Sequence, residues 1–417
     1  MAEYIIHGGR KLQGEFTVHG AKNAVLPIMA ASILTCDESV ISGYPEISDV
    51  ASMKEILADL GCRVKCAGGI MIVDSRGMAC CEVPDDLMKR MRSSVFLIGA
   101  LLARCGMAVI SRPGGCSIGK RPIDLHIKAL TQMGVRIEER DGQIVFAAER
   151  LHGADIYLDY PSVGATENVM LAAMGASGET VIHNAAKEPE ITDLQNYLNS
   201  CGADIRGAGT SRIVIRGKLP LHGTCYRVMG DRIEAGTFLM AAAGTGGELL
   251  LKGADPRYAK CCIRLLRFAG CTVKKTDEGI WLKAPERLYG TGTVKTAPYP
   301  GFPTDLQPQF AAIMTCAEGT TTIEETVFEN RFGFMKELVK MGADIEISGR
   351  FAIIKGNDFL YGKRVSAPDL RGGAALVLAG LMGSGRTVVE NIEHIERGYS
   401  GLHRELWMLG ADIDRCI

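Results

Sequence analysis

The stretch SRPGGCSIGKRP, residues 111–122, sets one thiol, Cys116, close in sequence to Arg112, Lys120 and Arg121. Nearby positive charge lowers a thiol pKa and makes the thiolate available, so Cys116 is a candidate reactive group. Glycines and prolines surround it, and glycine permits the large backbone changes that a lid needs. The bland alternative is an idle loop thiol. Elsewhere, charged or polar residues open segments that are otherwise apolar: Lys22 and Asn23, Arg92, Thr166 and Glu167, Arg232 and Glu234, Asp305, and Arg371. A charge at the start of a buried helix is costly unless it faces a cleft. Helix N-termini also offer N–H groups and a positive dipole end to an anion. The chemistry expected is therefore work on an anionic ligand, held in a cleft between two domains.

The elements that must position these residues follow a repeat. A helix ending in glycine and leading into a short strand recurs at Gly61, Gly134, Gly202, Gly270, Gly342 and Gly410, with steps of 73, 68, 68, 72 and 68 residues. Each unit opens with a helix apolar nearly all round, such as KNAVLPIMAASILT or LRGGAALVLAGLMGSG, and such a helix is buried. A β-branched strand follows, then an amphipathic helix such as ITDLQNYLNSC, closed by its C-cap glycine, and then a last strand. Six units predict an α/β protein of two similar domains of three units each. An open solenoid is the alternative, but its repeats run shorter and would expose these helices. From strand start to closing glycine, five units span 23 to 25 residues and the second spans 28. The excess falls in the Cys116 loop, and a loop enlarged in one repeat is a functional candidate.

Composition narrows the class further. The 417 residues carry 47 basic and 48 acidic side chains, so no overall field steers the chain to nucleic acid or a membrane. No signal-like start and no long apolar run occur, which predicts a cytoplasmic protein without membrane insertion. The 14 cysteines include no CxxC; apart from Cys116, most are expected to be small buried hydrophobes in a reducing compartment. Neither a P-loop nor a GxGxxG following a strand is present.

The motifs GAKNAVLP at 20–27, RPGGCSIGKRPIDLH at 112–126, PSVGATEN at 161–168, DRIEAGTF at 231–238, FPTDLQPQF at 302–310, FENRF at 328–332, DLRGGAALVLAG at 369–380 and IERGY at 395–399 stand in six-repeat register. Together they resemble the enolpyruvyl transferase family, in particular its carboxyvinyltransferases acting on UDP-N-acetylglucosamine, over essentially the whole chain. The resemblance implies two domains, each of three βαβαββ repeats around buried parallel helices, an inside-out α/β barrel like that of EPSP synthase. It assigns residues 1–20 and 230–417 to the C-terminal domain, and 21–229 with the Cys116 lid to the N-terminal one. It also implies addition of the sugar 3′-hydroxyl to C2 of phosphoenolpyruvate, protonation at C3, and loss of phosphate, as the first committed step of peptidoglycan precursor synthesis. No metal and no organic cofactor is implied.

The site residues carried over are these. Cys116 is implied as the C3 acid and as a thiol that can form an adduct with phosphoenolpyruvate. Asp305 is implied as the base at the hydroxyl, alongside its reading as a helix N-cap. Lys22, Arg121 and Arg397, with Arg92 and Arg371 nearby, are implied to hold phosphate and carboxylate, for which a guanidinium fork is suited. Asn23 is implied to contact the tetrahedral intermediate. Arg121, Pro122, Asp124, Leu125, Ser162, Val163, Gly164, Val327 and Phe328 are implied for the nucleotide sugar. Asp369 reads equally as a group orienting Arg371 and as a structural pairing, and His126 as a satisfied structural histidine. A cysteine at 116 implies inactivation by the epoxide fosfomycin. Lys120 stands where small residues are common in the family and adds charge to the lid. The rival readings are a shikimate 3-phosphate enolpyruvyl transferase and a non-catalytic nucleotide-sugar-binding paralog.

Overall fold

The computed structural model describes residues 2–90, 95–111, 118–119 and 123–416. Two compact units emerge. The split unit comprises Met1–His19, Cys116–Lys120 and Gly230–Ile417; the inserted unit comprises Gly20–Gly115 and Arg121–Met229. Residues 118 and 119, which the sequence assigned to the N-terminal domain with the lid, thus group with the split unit, where the Ile118 carbonyl accepts from the Asn330 N–H at 3.1 Å.

The repeat is visible as a shared local geometry. The glycines at 61, 134, 202, 270, 342 and 410 all take φ between 92° and 98°. Only a residue without Cβ takes that conformation freely, and there it turns the chain from helix into strand. The apolar segments form Lys22–Ala31, Leu97–Cys105 and Val163–Ala173 in the inserted unit, and Arg232–Gly244, Gln307–Met314 and Leu370–Met382 in the split unit. Their side chains lie almost wholly in the two cores, one per unit. Close helix packing is written into the sequence: a Cβ on Gly99 would sit 2.2 Å from the Asn168 carbonyl oxygen, so glycine lets Leu97–Cys105 approach Val163–Ala173. The helix expected to open at Asp305 begins instead at Gln307. The one expected from Arg92 is described only from Leu97, and residues 91–94 lie outside the described residues.

Among the described residues each unit carries three sheets, five of them four-stranded and one three-stranded. Parallel and antiparallel pairing mix in most of them. In the split unit, Glu248–Lys252 pairs parallel with Gln13–Thr17 and antiparallel with Gly279–Lys283. Buried and exposed residues alternate along such strands, as a sheet with one covered face requires. Glu3–His7 lies between Arg386–Glu390 and Asp412–Cys416, antiparallel to both. The chain leaves the split unit after residue 19 and returns at 230. On the split side the Asp231 N–H donates to the His19 carbonyl at 2.8 Å; on the inserted side the Ala21 N–H donates to the Met229 carbonyl at 2.7 Å.

The cysteines do not behave as expected. All thirteen described ones are free thiols, but only Cys62, Cys201, Cys262 and Cys271 are buried, while Cys66, Cys80, Cys105 and Cys225 are exposed. Several of these occupy outward positions on strands or helix ends, where size and apolarity are not selected by packing. No helix among the described residues is long and apolar enough to cross a membrane.

Candidate functional site

In the split unit, Asp305 is the centre of a charged cluster. Its Oδ1 accepts from Arg331 Nη2 at 3.0 Å and its Oδ2 from Arg371 Nη2 at 3.3 Å. Both guanidinium groups are almost entirely buried, while the Asp305 side chain keeps 30% exposure. A carboxylate fixed from behind by two arginines and open in front can still accept a proton from a hydroxyl. Asp305 is not a helix N-cap: it sits in the turn before Leu306, and no side chain caps that helix. Arg331 also donates to the Thr304 carbonyl at 3.3 and 3.2 Å, and lies 3.6 Å from Asp369.

Asp369 caps the helix Leu370–Met382, accepting from the N–H groups of Arg371 and Gly372 at 3.0 Å. The cap fixes where Arg371 leaves the helix, and the Arg371 guanidinium then lies over the Tyr399 ring, 5.3 Å from its centroid. The structural role of Asp369 is thus that of a helix cap. Arg397 is half-buried at the end of the short helix Glu393–Glu396.

Val327 and Phe328 follow a buried carboxylate. Glu325 accepts from the N–H of Val327 at 2.8 Å and of Phe328 at 3.3 Å, and from the hydroxyls of Thr296 and Thr304 at 2.9 Å each. This satisfied carboxylate shapes the loop, and the Phe328 ring lies beneath the Arg331 guanidinium at 5.8 Å.

In the inserted unit, Lys22 opens its central helix and its Nζ meets Asp49 at 2.8 Å, with 12% and 4% side-chain exposure. Asn23 beside it is half-buried. Ser162 is the N-cap of Val163–Ala173, its hydroxyl accepting from the Ala165 N–H at 3.3 Å, so residues 162–164 form a helix start suited to a phosphate. A Cβ on Gly164 would meet the His126 ring at 3.1 Å, so only glycine fits there without displacing the ring. His126 Nδ1 accepts from the Asn168 amide at 2.8 Å, which places the neutral ring's proton on Nε2. His126 is satisfied, as expected. Asp124 is exposed and Leu125 half-buried at the start of Asp124–Gln132.

Two acidic residues near helix starts, Glu234 and Glu167, are buried. Glu234 is buried against His19, accepting from its backbone N–H at 2.7 Å and meeting Nδ1 at 3.0 Å. It ties the crossing segment to the helix. Glu167 is fully buried, and among the described residues neither carboxyl oxygen has a hydrogen-bond partner. Burial, then Glu190 and Glu188, push its carboxyl well above the usual range. Cys116, Arg92, Lys120, Arg121 and Pro122 lie outside the described residues.

Sequence reading missed Arg331 and Glu325. The signal for Arg331 was present, since FENRF was among the quoted motifs; Glu325, next to Glu324 on a strand end, carried no local signal.

The sequence matches the family described as EPSP synthase (3-phosphoshikimate 1-carboxyvinyltransferase) over residues 6–406, and the chain belongs to this family. It is a transferase. It is 53% identical over 415 residues to UDP-N-acetylglucosamine 1-carboxyvinyltransferase 2 of Caldanaerobacter subterraneus subsp. tengcongensis, covering 100% of both chains. It is 50% identical over 418 residues to UDP-N-acetylglucosamine 1-carboxyvinyltransferase 1 of Symbiobacterium thermophilum, covering 99% of this chain and 95% of that one. Among solved structures, the enolpyruvyl transferase NikO from Streptomyces tendae superposes with a TM-score of 0.90 at 28% identity, covering 100% of this chain and 99% of NikO. EPSP synthase from Acinetobacter baumannii, at 23% identity and a TM-score of 0.76 with full coverage of both chains, shares the fold.

Proposed function

We propose that this chain transfers the enolpyruvyl group of phosphoenolpyruvate to the 3′-hydroxyl of UDP-N-acetylglucosamine, releasing phosphate, in the cytoplasm, as the first committed step of peptidoglycan precursor synthesis. The observation that carries this reading is the 53% identity, over the full length of both chains, to a relative named for that activity. With it goes an arrangement of each unit as three βαβαββ repeats around its apolar helices, an inside-out α/β barrel; the three sheets and three buried helices in each unit support it.

In the addition step the sugar O–H bond breaks and its proton passes to Asp305, while the oxygen bonds to C2 of phosphoenolpyruvate. C3 takes a proton from the Cys116 thiol. In the elimination step C3 returns a proton, the C2–O bond to phosphate breaks, and the double bond re-forms. The role of Asp305 is supported by its fixed, half-open carboxylate between Arg331 and Arg371. Lys22, Arg92, Arg121, Arg371 and Arg397 would neutralise the phosphate and carboxylate, and Asn23 would bind the tetrahedral intermediate. The diphosphate and sugar fall to residues 162–164, Arg121, Pro122, Asp124, Leu125, Val327 and Phe328, a role that the capped helix start at Ser162 supports.

The test is phosphate release from phosphoenolpyruvate with and without UDP-N-acetylglucosamine, beside Cys116→Ala. Sugar-dependent release that collapses in the variant is expected, as is loss of the free Cys116 thiol on exposure to fosfomycin. Release only with shikimate 3-phosphate would move the chain to that substrate; binding of the nucleotide sugar with no release under any condition would make it a binding protein.

A further inference from the structure

The repeat supplies its own control for a surface feature outside the candidate site. Each unit's amphipathic helix and the strand after it carry acidic residues in five cases: Asp59 in the first, Glu138 in the second, Asp204 in the third, Glu346 in the fifth and Asp414 in the sixth are examples. The fourth, Lys260–Phe268 with Thr272–Lys275, carries none, but has Lys260, Arg264, Arg267, Lys274 and Lys275. All five cations are exposed. They border a groove of about 570 Å³ whose floor includes Ile263 and Val273, with Phe268 standing 68% exposed at its side. The acids nearest in sequence are Asp255, paired with Arg257, then Asp277 and Glu278, the latter paired with Lys252.

We infer that this groove is a docking site for an acidic, extended protein segment that carries apolar side chains. Cations around an apolar floor match carboxylates alternating with apolar anchors, and among the described residues none of the five cations forms a salt bridge, although Lys274 lies over the Trp281 ring at 5.2 Å. Thr272–Lys275 is the outer strand of its sheet. Arg267 already covers the Val273 carbonyl, donating from Nη2 at 2.6 Å, so the segment is read through its side chains in the groove and not by adding a strand to the edge. The concave apolar floor favours a peptide over the phosphate backbone of a nucleic acid or the flat face of a lipid bilayer.

The experiment uses the full chain and a fluorescent short peptide of alternating Glu and Leu, with Lys/Leu and Glu/Ser peptides as controls. A single-stranded oligonucleotide and phosphatidylglycerol vesicles are further probes. The wild type is expected to bind the Glu/Leu peptide, and both controls to bind at least about tenfold more weakly. Arg264→Glu combined with Lys274→Glu is expected to weaken the Glu/Leu peptide by about tenfold or more, with turnover unchanged. Hydrogen exchange of the wild type reads the site without any variant: the peptide should protect residues 260–275. Absence of that protection, equal affinity in the charge-reversed variant, or equal binding of the oligonucleotide or vesicles overturns the inference.

Discussion

The two units hold carboxyl groups in different ways. In the split unit Asp305 meets the guanidinium groups of Arg331 and Arg371, and Asp369 meets helix N–H groups with Arg331 close by. In the inserted unit Glu167 has Glu190 and Glu188 as its charged neighbours, and burial raises Asp193 to about 6 despite hydrogen bonds from Tyr226 and the Met229 N–H. In these examples one unit meets the acid with a cation, and in the other burial favours the acid's protonated form. The pairing is not uniform, since Lys22 meets Asp49 in the inserted unit. The difference still teaches where function can reside: a cation-held carboxylate keeps a fixed orientation, whereas a proton-held one ties local stability to pH.

The largest effect should come from Arg331→Met. It strips a buried cation from Asp305 and Asp369, and denaturant unfolding should show a loss on the order of 3–5 kcal/mol. A loss below about 1 kcal/mol would break the contrast between the units. Asp305→Asn keeps the shape but not the base; steady-state assays should show turnover falling by about 10²–10⁴, with a smaller stability change than for Arg331→Met.

Asp193 comes next. Its folded value of about 6 lies above the ordinary 3.8, so the folded protein holds the proton more tightly. The stability this gives is complete below the ordinary value and is lost as pH rises through about 6. Asp193→Asn should abolish a decline on the order of 3 kcal/mol across that window, read from unfolding curves at several pH values. For Glu167, also raised, the sign is the same, and stability falls as pH climbs above the usual carboxyl range. Glu167→Gln should remove a slope of about 1.4 kcal/mol per pH unit there; a slope identical to wild type would mean that Glu167 is ionised in the fold. The smallest effect is Ser162→Ala, about 1 kcal/mol from the lost cap, with a raised KM for the nucleotide sugar.

Much of the architecture was legible because it rests on local rules. The six glycines announce a left-handed turn that few other residues tolerate, and uninterrupted apolar stretches announce buried helices. The candidate Asp305 could be named from the sequence because an acid before a proline-containing helix stands out. It was not legible where meaning depends on partners distant in sequence. Glu167 and Glu234 both looked like cleft charges, but among the described residues one has no hydrogen-bond partner and the other holds His19, 215 residues away. The buried role of Arg331 required knowing that Thr304, Asp305 and Asp369 converge on it. Cysteine burial failed because small side chains pack almost anywhere, including on outward strand positions.

The double crossing of the chain has a consequence for synthesis. The inserted unit is complete once residue 229 has been made, but the strand Glu3–His7 has both of its neighbours between residues 386 and 416. That strand is therefore made long before its partners and finds its place late. Until then its edges stay open to any other strand nearby, which leaves the nascent chain an aggregation hazard there.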